Sequence, residues 1–556
     1  SYVTNRYHYD HPRFPHYLTS IEDPRGIPLA RNEYDEAGRL TAVVDADGRR
    51  TEFIHNLSDR VEIVMDRMTN RTSYVYDERG NVTWITNALN GITQMEYDEQ
   101  NHKTNEVVFL AAEPYATNRF VISTNGLLLA AINALGHSNT YLYGPRGRLE
   151  VATDARGFST TNYYEEATDL LLATRDALGN VSSNYYDARG RLVGTRDPLG
   201  MLTTNFYDEL GNLTATATLD AFGVILSTNS FDYDLNGNRT HSVTWRLVND
   251  GWTGATNTMI YDAQNRVVQS IAPDGGTNTV VYNPLGKQDC TVDALGRTNR
   301  FEYDAQGRLF KTVAPDGSFE LLYFDAEGRV TNRVDRANRA TLSVYDALGR
   351  VTQTIYADNT TNRTVYDGLG RVQFTVDARG VTNAFGYDRA GRRVAVTNAW
   401  GTPVQTVSGF GYDENGNHTY VTNALGVITT NVFDVLNRQV QTRFDDGTKT
   451  AAGHDALGRR VAETNQDDIV TLFGYDGLGR LTAVTNAVGT AEEMVTRYEY
   501  DQAGNLVRQV DALGRTNRFE YDSVGRRTKR TLPGGQAETF GYDLLGNLIR
   551  HTNFNG

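Results

Sequence analysis

Closely spaced acidic side chains are the residues of this chain that come nearest to metal-binding chemistry. Asp232, Asp234 and Asn236, followed by Gly237, have the spacing that opens a calcium-binding loop of the EF-hand type. Such a loop needs a glutamate at its twelfth position, and Val243 stands there instead. The sequence therefore favours a structural turn, in which an aspartate accepts hydrogen bonds from the backbone.

Two other acidic turns and one group of histidines are weaker candidates for a metal site. Asp45–Gly48 and Asp445–Gly447 place carboxylates in short turns, so incidental calcium binding is the alternative to a structural role. His8, His11 and His16 cluster near the N-terminus, where a metal site is again the weaker interpretation. We expect no resident metal ion and no cofactor.

Nucleophilic catalysis has little support in the sequence. Cys290 is the only cysteine, which excludes an intrachain disulfide and a zinc site built from cysteines. It stands beside strand-type residues, so we interpret it as a small packing residue. The sequence shows no Ser/His/Asp order of a hydrolase, no phosphate-binding loop and no HExxH motif. We predict that the chain is not an enzyme.

The charge and hydropathy of the chain limit its partners. The 54 basic and 68 acidic residues give a net charge of −14 and are spread along the chain. A nucleic-acid-binding protein needs a basic stripe, and none is visible. The longest apolar run, Gly126–Ile132, is far shorter than the roughly 18 residues that span a bilayer. We expect neither nucleic-acid binding nor membrane insertion.

The residue types named above recur because the chain repeats itself. Tyr303, Tyr345, Tyr366 and Tyr387 each precede an aspartate in a series that steps by 21 residues, with Phe324 once in the tyrosine's place. Steps of 25 to 28 residues elsewhere add a few residues, and additions of that size belong in loops. We predict a single array of about 25 repeats over residues 1–556, with no separate catalytic domain.

Each repeat is expected to contain two turns and two strands. A clear unit begins at Tyr303 with Asp304, Gly307 and Arg308, and the preceding half-repeat carries the turn Asp293–Gly296. Aspartate at the first turn position accepts a hydrogen bond from a backbone N–H two residues on. Glycine at the fourth position supplies the positive φ that closes a short hairpin.

Alternating side chains between the turns predict strands. Val372, Phe374 and Val376 share one face of a strand, and Phe301 shares a face with Tyr303. We predict an all-β fold in which repetitive antiparallel β-hairpins form a long spiralling sheet, a YD-repeat shell or tube. The sheet must coil because open sheets of more than about ten strands curl. One apolar face is expected to look inward and the polar face toward solvent.

The residues that we expect to carry the repeat are structural. They are Tyr303, Asp304, Gly307, Arg308, Tyr345, Asp346, Gly349, Arg350, Tyr366, Asp367, Gly370, Arg371, Tyr387, Tyr475, Gly479, Arg480, Tyr521 and Gly525. We interpret each arginine as the partner of the aspartate four residues before it, with a polyanion or glycan contact as the alternative. We interpret the tyrosines as fillers of the inner face, with stacking on sugars as the alternative.

Several hexapeptides carry a family resemblance. Residues 345–350, 366–371, 475–480 and 186–191 resemble the signature of the YD-repeat, or Rhs-repeat, family. That family includes bacterial Rhs polymorphic toxins, wall-associated proteins, insecticidal toxin complex subunits and animal teneurins. The resemblance covers almost the whole chain and implies a spiralling β-sheet shell, often hollow. It also implies an extracellular or cell-surface location.

The chain departs from the toxin-bearing members of that family. Those members end the array with a core segment and a self-cleavage stretch around Asp-Pro-x-Gly. Asp197–Gly200 matches this stretch, but repeats lie on both sides of it, so we interpret it as an ordinary turn. The start at Ser1, in a strand that reaches Tyr9, and the end at Gly556 nearly continue one register. We expect a segment of a longer array or a unit that stacks head to tail.

The expected role is architectural. We predict that the chain forms a β-sheet shell wall, a hollow tube or an extracellular filament, as part of a larger secreted or surface protein. One alternative is a surface module for adhesion or for binding a glycan or partner; another is an encapsulating shell segment of a polymorphic toxin. Expected partners are further copies joined end to end, the remaining parts of a longer chain, or a glycan or cell-surface partner.

Overall fold

The computed structural model describes residues 4–248 and 251–555. Ser1 and Gly556, the two ends whose register was compared above, lie outside this described part. The described residues form fifty β-strands and no helix. It follows that they contain no helix of the length and apolarity that could cross a membrane.

The strands are short and follow one another at regular intervals. The first twenty-five are β1 Arg6–His8, β2 Ser20–Glu22, β3 Pro28–Tyr34, β4 Leu40–Asp45, β5 Arg50–Asn56, β6 Val61–Met65, β7 Arg71–Tyr76, β8 Val82–Thr86, β9 Ile92–Tyr97, β10 Lys103–Leu110, β11 Glu113–Ile122, β12 Leu128–Ile132, β13 Ser138–Tyr143, β14 Leu149–Thr153, β15 Ser159–Tyr164, β16 Leu171–Arg175, β17 Val181–Tyr186, β18 Leu192–Arg196, β19 Leu202–Tyr207, β20 Leu213–Leu219, β21 Ile225–Tyr233, β22 Arg239–Val248, β23 Gly251–Tyr261, β24 Val267–Ile271 and β25 Thr277–Tyr282. The others are β26 Gln288–Val292, β27 Thr298–Tyr303, β28 Leu309–Val313, β29 Phe319–Phe324, β30 Val330–Val334, β31 Ala340–Tyr345, β32 Val351–Ile355, β33 Thr361–Tyr366, β34 Val372–Val376, β35 Thr382–Tyr387, β36 Arg393–Asn398, β37 Thr406–Tyr412, β38 His418–Thr422, β39 Ile428–Phe433, β40 Gln439–Arg443, β41 Lys449–His454, β42 Arg460–Thr464, β43 Val470–Tyr475, β44 Leu481–Asn486, β45 Met494–Tyr500, β46 Leu506–Val510, β47 Thr516–Tyr521, β48 Arg527–Thr531, β49 Ala537–Tyr542 and β50 Leu548–Thr552.

Each strand pairs antiparallel with its neighbours in the chain, which makes one continuous meander. In a representative hairpin, β27 pairs with β28 so that Glu302 faces Lys311 and Tyr303 faces Leu309, with a β-bulge between the two pairs. The next turn joins β28 to β29, where Val313 faces Phe319. The predicted all-β class, with its antiparallel hairpins in one long sheet, is confirmed.

Two kinds of turn alternate along the ribbon, and each kind forms one of its rims. A YD turn follows a tyrosine, as in Asp304–Gly307 between β27 and β28, and these turns form the YD rim. A second turn separates repeats at the opposite end of the strands, as in Asp293–Gly296 between β26 and β27. The second turns form the second-turn rim.

Apolar side chains lie on both faces of the ribbon, so the expectation of one apolar face is wrong. We call the face that carries the YD tyrosines the tyrosine face. Val365 immediately precedes Tyr366 and therefore points to the opposite face. It pairs across the hairpin with Phe374, which places that apolar side chain on the opposite face as well. Both faces of this hairpin therefore carry apolar side chains.

The sheet is a single layer with little buried core. Its accessible surface is 31500 Å², whereas a compact monomer of the same mass exposes roughly 20,000 Å². Among the described hydrophobic residues, only Ala42, Val44, Met201 and Ala314 are buried. Water therefore reaches both faces of the ribbon, and strand pairing rather than a hydrophobic core supplies most of its internal contacts.

The ribbon coils back on itself. The backbone N–H of Arg67 donates to Glu327, 260 residues further along the chain, and Gln306 donates to Asp45, 261 residues before it. We call β2–β25 the first coil, β26–β50 the second coil, and the line where they meet the seam. The turn after β27 meets the turns after β2 and β4, so one coil takes 23 to 25 strands. Second turns follow even-numbered strands and YD turns follow odd-numbered ones, so the second-turn rim of the first coil meets the YD rim of the second.

Candidate functional site: the repeat turns and the seam between coils

The YD turn is organised around its aspartate. In one example Oδ1 of Asp346 accepts the backbone N–H groups of Leu348 and Arg350 at 2.9 and 3.0 Å, and Oδ2 accepts Nε of Arg350 at 2.7 Å. Gly349 has a φ of 78° and donates its N–H to the carbonyl of Asp346 at 3.0 Å. Partial burial acts to raise the pKa of the Asp346 carboxyl group, but the bonds from Arg350 and Leu348 outweigh it and lower that pKa.

Each YD arginine also ties its own repeat to the next. The guanidinium group of Arg329 bonds Asp325 at 2.6 Å in its own turn and lies 4.8 Å from the ring centre of Tyr345 in the following repeat. Its Nη1 donates to the carbonyl of Asp346 at 3.4 Å. The phenol of Tyr345 donates to the carbonyl of Val330 at 2.8 Å. One arginine and one tyrosine thus link successive hairpins, and the tyrosine hydroxyl is already bound.

The repeat residues singled out in the sequence all lie on or beside the YD rim of the second coil. The tyrosines end their strands, and each phenol donates to a carbonyl 15 residues earlier; they are Tyr303, Tyr345, Tyr366, Tyr387, Tyr475 and Tyr521. The aspartates begin the turns and bond the following arginines at 2.6–2.7 Å; the bonded pairs are Asp304 with Arg308, Asp346 with Arg350, and Asp367 with Arg371. Arg480 makes the same bond to Asp476 at 2.7 Å. The glycines have φ values of 76–85°; they are Gly307, Gly349, Gly370, Gly479 and Gly525.

Polar contacts hold the seam along its length. Near its beginning, Nη2 of Arg25 donates to the carbonyl of Ala305 at 2.9 Å. Near its end, Nη2 of Arg526 donates to Oδ2 of Asp274 at 3.0 Å. The residues of these two pairs are 280 and 252 positions apart. The nearly constant separation means that the two coils run side by side over the whole second coil.

Arg156 is the most connected residue of the seam. It belongs to a second turn of the first coil, and its Nη1 donates to the carbonyl of Asp434 at 2.9 Å and to Oδ1 of Asn437 at 3.0 Å. Its Nη2 donates to the carbonyl of Phe433 at 3.3 Å, and its Nε lies 3.5 Å from Oδ2 of Asp413. The side chain is only 17% exposed. One guanidinium group therefore joins a single second turn to two YD turns.

A longer hairpin, β10–β11, reaches across the seam. Tyr115 donates its hydroxyl to the carbonyl of Asp388 at 3.4 Å. The guanidinium group of Arg371 lies 5.3 Å from the ring centre of Tyr115 and 4.7 Å from that of Tyr387. An arginine between two aromatic rings gains attraction from both. This hairpin therefore joins the coils through a mixed aromatic and cationic contact.

Sequence reasoning missed the residues that build the seam. They include Arg25, Arg67, Tyr115, Arg156 and Asp274. No local pattern marks them, because their partners lie about 260 positions away and the curvature of the ribbon sets that distance. The Asp-Ala-Arg-Gly turn that holds Arg156 is identical to one at 377–380 that contacts no other coil in the described structure.

The acidic turns serve as turns. Oδ1 of Asp234 accepts the N–H of Asn236 and its Oδ2 accepts Nδ2 of Asn238, both at 2.9 Å. At the tetrapeptide that resembles a cleavage site, the N–H of Gly200 donates to the carbonyl of Asp197 at 3.0 Å, as in any second turn. Within residues 4–248 and 251–555, no three histidine, cysteine or acidic side chains are grouped so that they could hold a metal ion.

Comparisons with known proteins identify the repeat. A family model described as the RHS repeat matches residues 18–50, 34–67, 186–225, 324–361, 454–491 and 521–556. No curated protein matches the chain. The chain is similar to the crystal structure of TcdB2-TccC3 without its hypervariable C-terminal region, with 12% identity over 96% of this chain and 32% of that one and a TM-score of 0.49. It is also similar to the Tc holotoxin pore of Photorhabdus luminescens, with 12% identity over 96% and 32% of the two chains and a TM-score of 0.48.

The chain spans about a third of the length of these matched chains. The repeat matches fall in both coils, at turns that have the Asp-to-Gly geometry described above. The matched segments of the chain are RHS repeats.

Proposed function

We propose that this chain is an encapsulating shell segment, a hollow wall that encloses a polypeptide cargo within a larger secreted or cell-surface protein of the polymorphic-toxin kind. The observation that carries the proposal is the seam. Side chains bridge the line between the coils at separations of 252 to 280 residues, which is the arrangement expected of a ribbon that surrounds a space. An extended ribbon without such a seam would suit a filament better.

The dimensions of the coil suit a container. A coil of 23 to 25 strands at about 4.8 Å per strand has a circumference of about 110–120 Å and a diameter of about 35–38 Å. Side chains that reach about 5 Å inward leave a lumen about 25 Å wide. A helix with its side chains is about 10–12 Å across, so a polypeptide fits with room for water.

The tyrosine face is the one that we assign to the lumen. Clefts of about 510, 520 and 350 Å³ open beside the seam. Their walls include Thr93, Asn139 and Ser182, each of which precedes a YD tyrosine by four residues and so shares its face. A ribbon that curves toward its tyrosine face makes that face concave, which agrees with clefts on this face.

The chemistry of this lining suits a cargo that must be enclosed without being gripped. The phenols of the YD tyrosines donate to backbone carbonyls, as Tyr345 does to Val330 at 2.8 Å. Asparagines of the same face do likewise, and Asn184 donates to the carbonyl of Leu171 at 3.0 Å. The wall therefore presents groups whose hydrogen bonds are already made, which limits specific binding to an enclosed chain.

Cysteine labelling tests the proposal with two residues of one strand. In a Cys290→Ser background, Asn139→Cys on the tyrosine face and Leu142→Cys on the opposite face of β13 should both react with a small maleimide. Only the Leu142→Cys protein should react rapidly with a maleimide on a large polyethylene-glycol chain. Equal rates with the large reagent would overturn the assignment. Electron cryo-microscopy should show a two-coil wall around a lumen about 25 Å wide, and a collapsed sheet would refute the container.

An exposed aromatic row favours surface recognition as a second candidate function. Tyr163, Tyr185 and Phe206 each precede a YD tyrosine, so they lie on the face opposite the tyrosines, and all three are exposed. The fold does not require aromatic residues there, because the equivalent Glu302 forms an ion pair with Lys311 at 2.8 Å. Binding on a glycan array that is lost when all three are changed to alanine would support this candidate. No binding by the parent protein would exclude it.

A further inference from the structure

In the part of the chain that the structure describes, two rims of the ribbon make no contact with a neighbouring coil. They are the YD rim of the first coil and the second-turn rim of the second coil, because the seam uses the other rim of each coil. Each open rim has the same turn types as a rim that is bound in the seam. The exposure of residues in turns of the same type therefore shows how much side-chain surface a rim buries when another coil covers it.

An identical tetrapeptide occurs in one second turn of the seam and in one second turn of an open rim. Asp-Ala-Arg-Gly occupies residues 154–157 and again 377–380. In the seam, Arg156 is 17% exposed and bonds two YD turns. On the open rim, Arg379 is 81% exposed and folds back onto Asp377 at 2.8 Å. The same turn thus has one arginine committed to another coil and one with only a local partner.

Leucines of the YD turns show the same contrast. Leu348 and Leu457 belong to the YD rim that lies in the seam, and each is 40% exposed. Leu210 and Leu235 belong to the open YD rim and are 84% and 102% exposed. Leu425 on the open second-turn rim is also strongly exposed. Strongly exposed apolar side chains favour association with another surface, since burial removes their surface from water.

We propose that the two open rims are docking edges for each other, so that a second copy of this chain stacks head to tail on the first. The second-turn rim of one copy receives the YD rim of the next, in the arrangement that the seam already uses. The occupant is argued from continuity with the seam and from the complementary groups on the two rims. Such a contact is heterologous, because different surfaces of the two copies meet.

The chemistry of the docked rims follows that of Arg156. Arg379 leaves Asp377 and donates to carbonyl groups of a YD turn in the next copy, as Arg156 does to those of Phe433 and Asp434. Exposed leucines of both rims lose contact with water in the same step. Stacking lengthens the lumen of the proposed container, but it depends only on the rims and does not require that the lumen hold a cargo.

Two rim-blocked variants test the docking directly. The YD-rim variant carries Leu210→Glu and Leu235→Glu, and the second-turn-rim variant carries Arg379→Glu and Leu425→Glu. Both sets of changes suit the turns, because acidic residues already stand at equivalent positions: Glu36 and Glu327 in YD turns, and Asp47 and Asp316 in second turns. Circular dichroism and the thermal midpoint should therefore match the parent protein.

Sedimentation velocity over a range of concentrations provides the measurement. The parent should form dimers and longer stacks, and each variant alone should remain monomeric, because neither offers a complete pair of rims. A mixture of the two variants should form a one-to-one dimer, since each still carries one intact and different rim. A control with Arg363→Glu, an exposed arginine on a strand face, should associate like the parent.

Three results would overturn the proposal. They are a parent that stays monomeric at every concentration, variants that associate as the parent does, and a mixture that remains monomeric. None of these results bears on whether the chain encloses a lumen, which the labelling of Asn139→Cys and Leu142→Cys tests separately. Failure of the docking and failure of the container are therefore distinguishable.

Discussion

Removal of the Arg156 side chain should open the seam locally while the strands remain paired. Arg156→Ala removes three hydrogen bonds from a charged donor to groups of the second coil, at 2.9, 3.0 and 3.3 Å. It also leaves the nearby carboxylate of Asp413 without its cation at 3.5 Å. The hairpins on either side keep their backbone hydrogen bonds, so we expect the loss to appear in the seam.

The expected magnitude follows from these contacts. A hydrogen bond to a charged group contributes about 1.5–3 kcal/mol, and bonds that share one side chain are not additive. Water can enter the opened seam and replace part of the loss. We therefore expect the local opening free energy to fall by about 3 kcal/mol, which corresponds to opening that is favoured about 100-fold more.

Hydrogen–deuterium exchange measures this opening. Peptides that cover residues 154–158 and 433–438 should exchange about 100-fold faster in Arg156→Ala, while strands far from the seam should be unchanged. Arg379→Ala is the matched control, because it removes the same side chain from the same tetrapeptide on an open rim. An exposed ion pair contributes less than about 1 kcal/mol, so this control should change local exchange only slightly. Equal effects of the two substitutions, or no change at 433–438, would refute the reasoning.

Three further predictions concern the repeat itself. Gly370→Ala should lower the local unfolding free energy by about 1–2 kcal/mol, because Gly370 has a φ of 83° and a Cβ would lie 3.1 Å from Nη1 of Arg350. Thermal denaturation should show a smaller loss of stability for Gly370→Asn. Equal losses for the two substitutions would contradict the role of φ. Tyr366→Phe should lower the free energy of unfolding by about 1 kcal/mol, since it removes the phenol's hydrogen bond at 3.1 Å but keeps the ring 4.1 Å from the Arg350 guanidinium. Tyr366→Leu should lower it further, because the ring is lost as well. An unchanged stability of Tyr366→Phe would show that the hydroxyl contributes nothing. The pKa of Asp77 is lowered to about 2, and the largest cause is the hydrogen bond from the side chain of Asn81. The ionised carboxylate therefore stabilises the fold fully above 3.8, the pKa of the unfolded chain, and this stabilisation is lost as the pH falls toward 2. Because many turn aspartates share this direction, the thermal midpoint should be constant from neutral pH to about 4 and fall steeply below it; a main decline between pH 7 and 5 would contradict this origin.

Local structure could be predicted well from the sequence because it depends on nearby residues. Gly307 adopts the positive φ that its place in the turn requires, and Asp304 bonds Arg308 within the same turn at 2.6 Å. The tyrosine series gave the period of the hairpins. The prediction of a single apolar face failed, since Phe374 pairs with Val365 on the face opposite the tyrosines. Alternation within a strand shows which residues share a face but does not show which face that is.

The role of the Asp-Ala-Arg-Gly turns separates what is local from what is tertiary. Residues 154–157 and 377–380 are identical and form the same kind of turn, so the sequence alone determined their local shape. Only the tertiary structure decided that Arg156 joins two coils and that Arg379 faces solvent. The physical reason is the accumulated curvature of 23 to 25 strands, which brings distant turns together. Short-range periodicity determines each hairpin, whereas the sum of many small rotations between strands determines which hairpins meet.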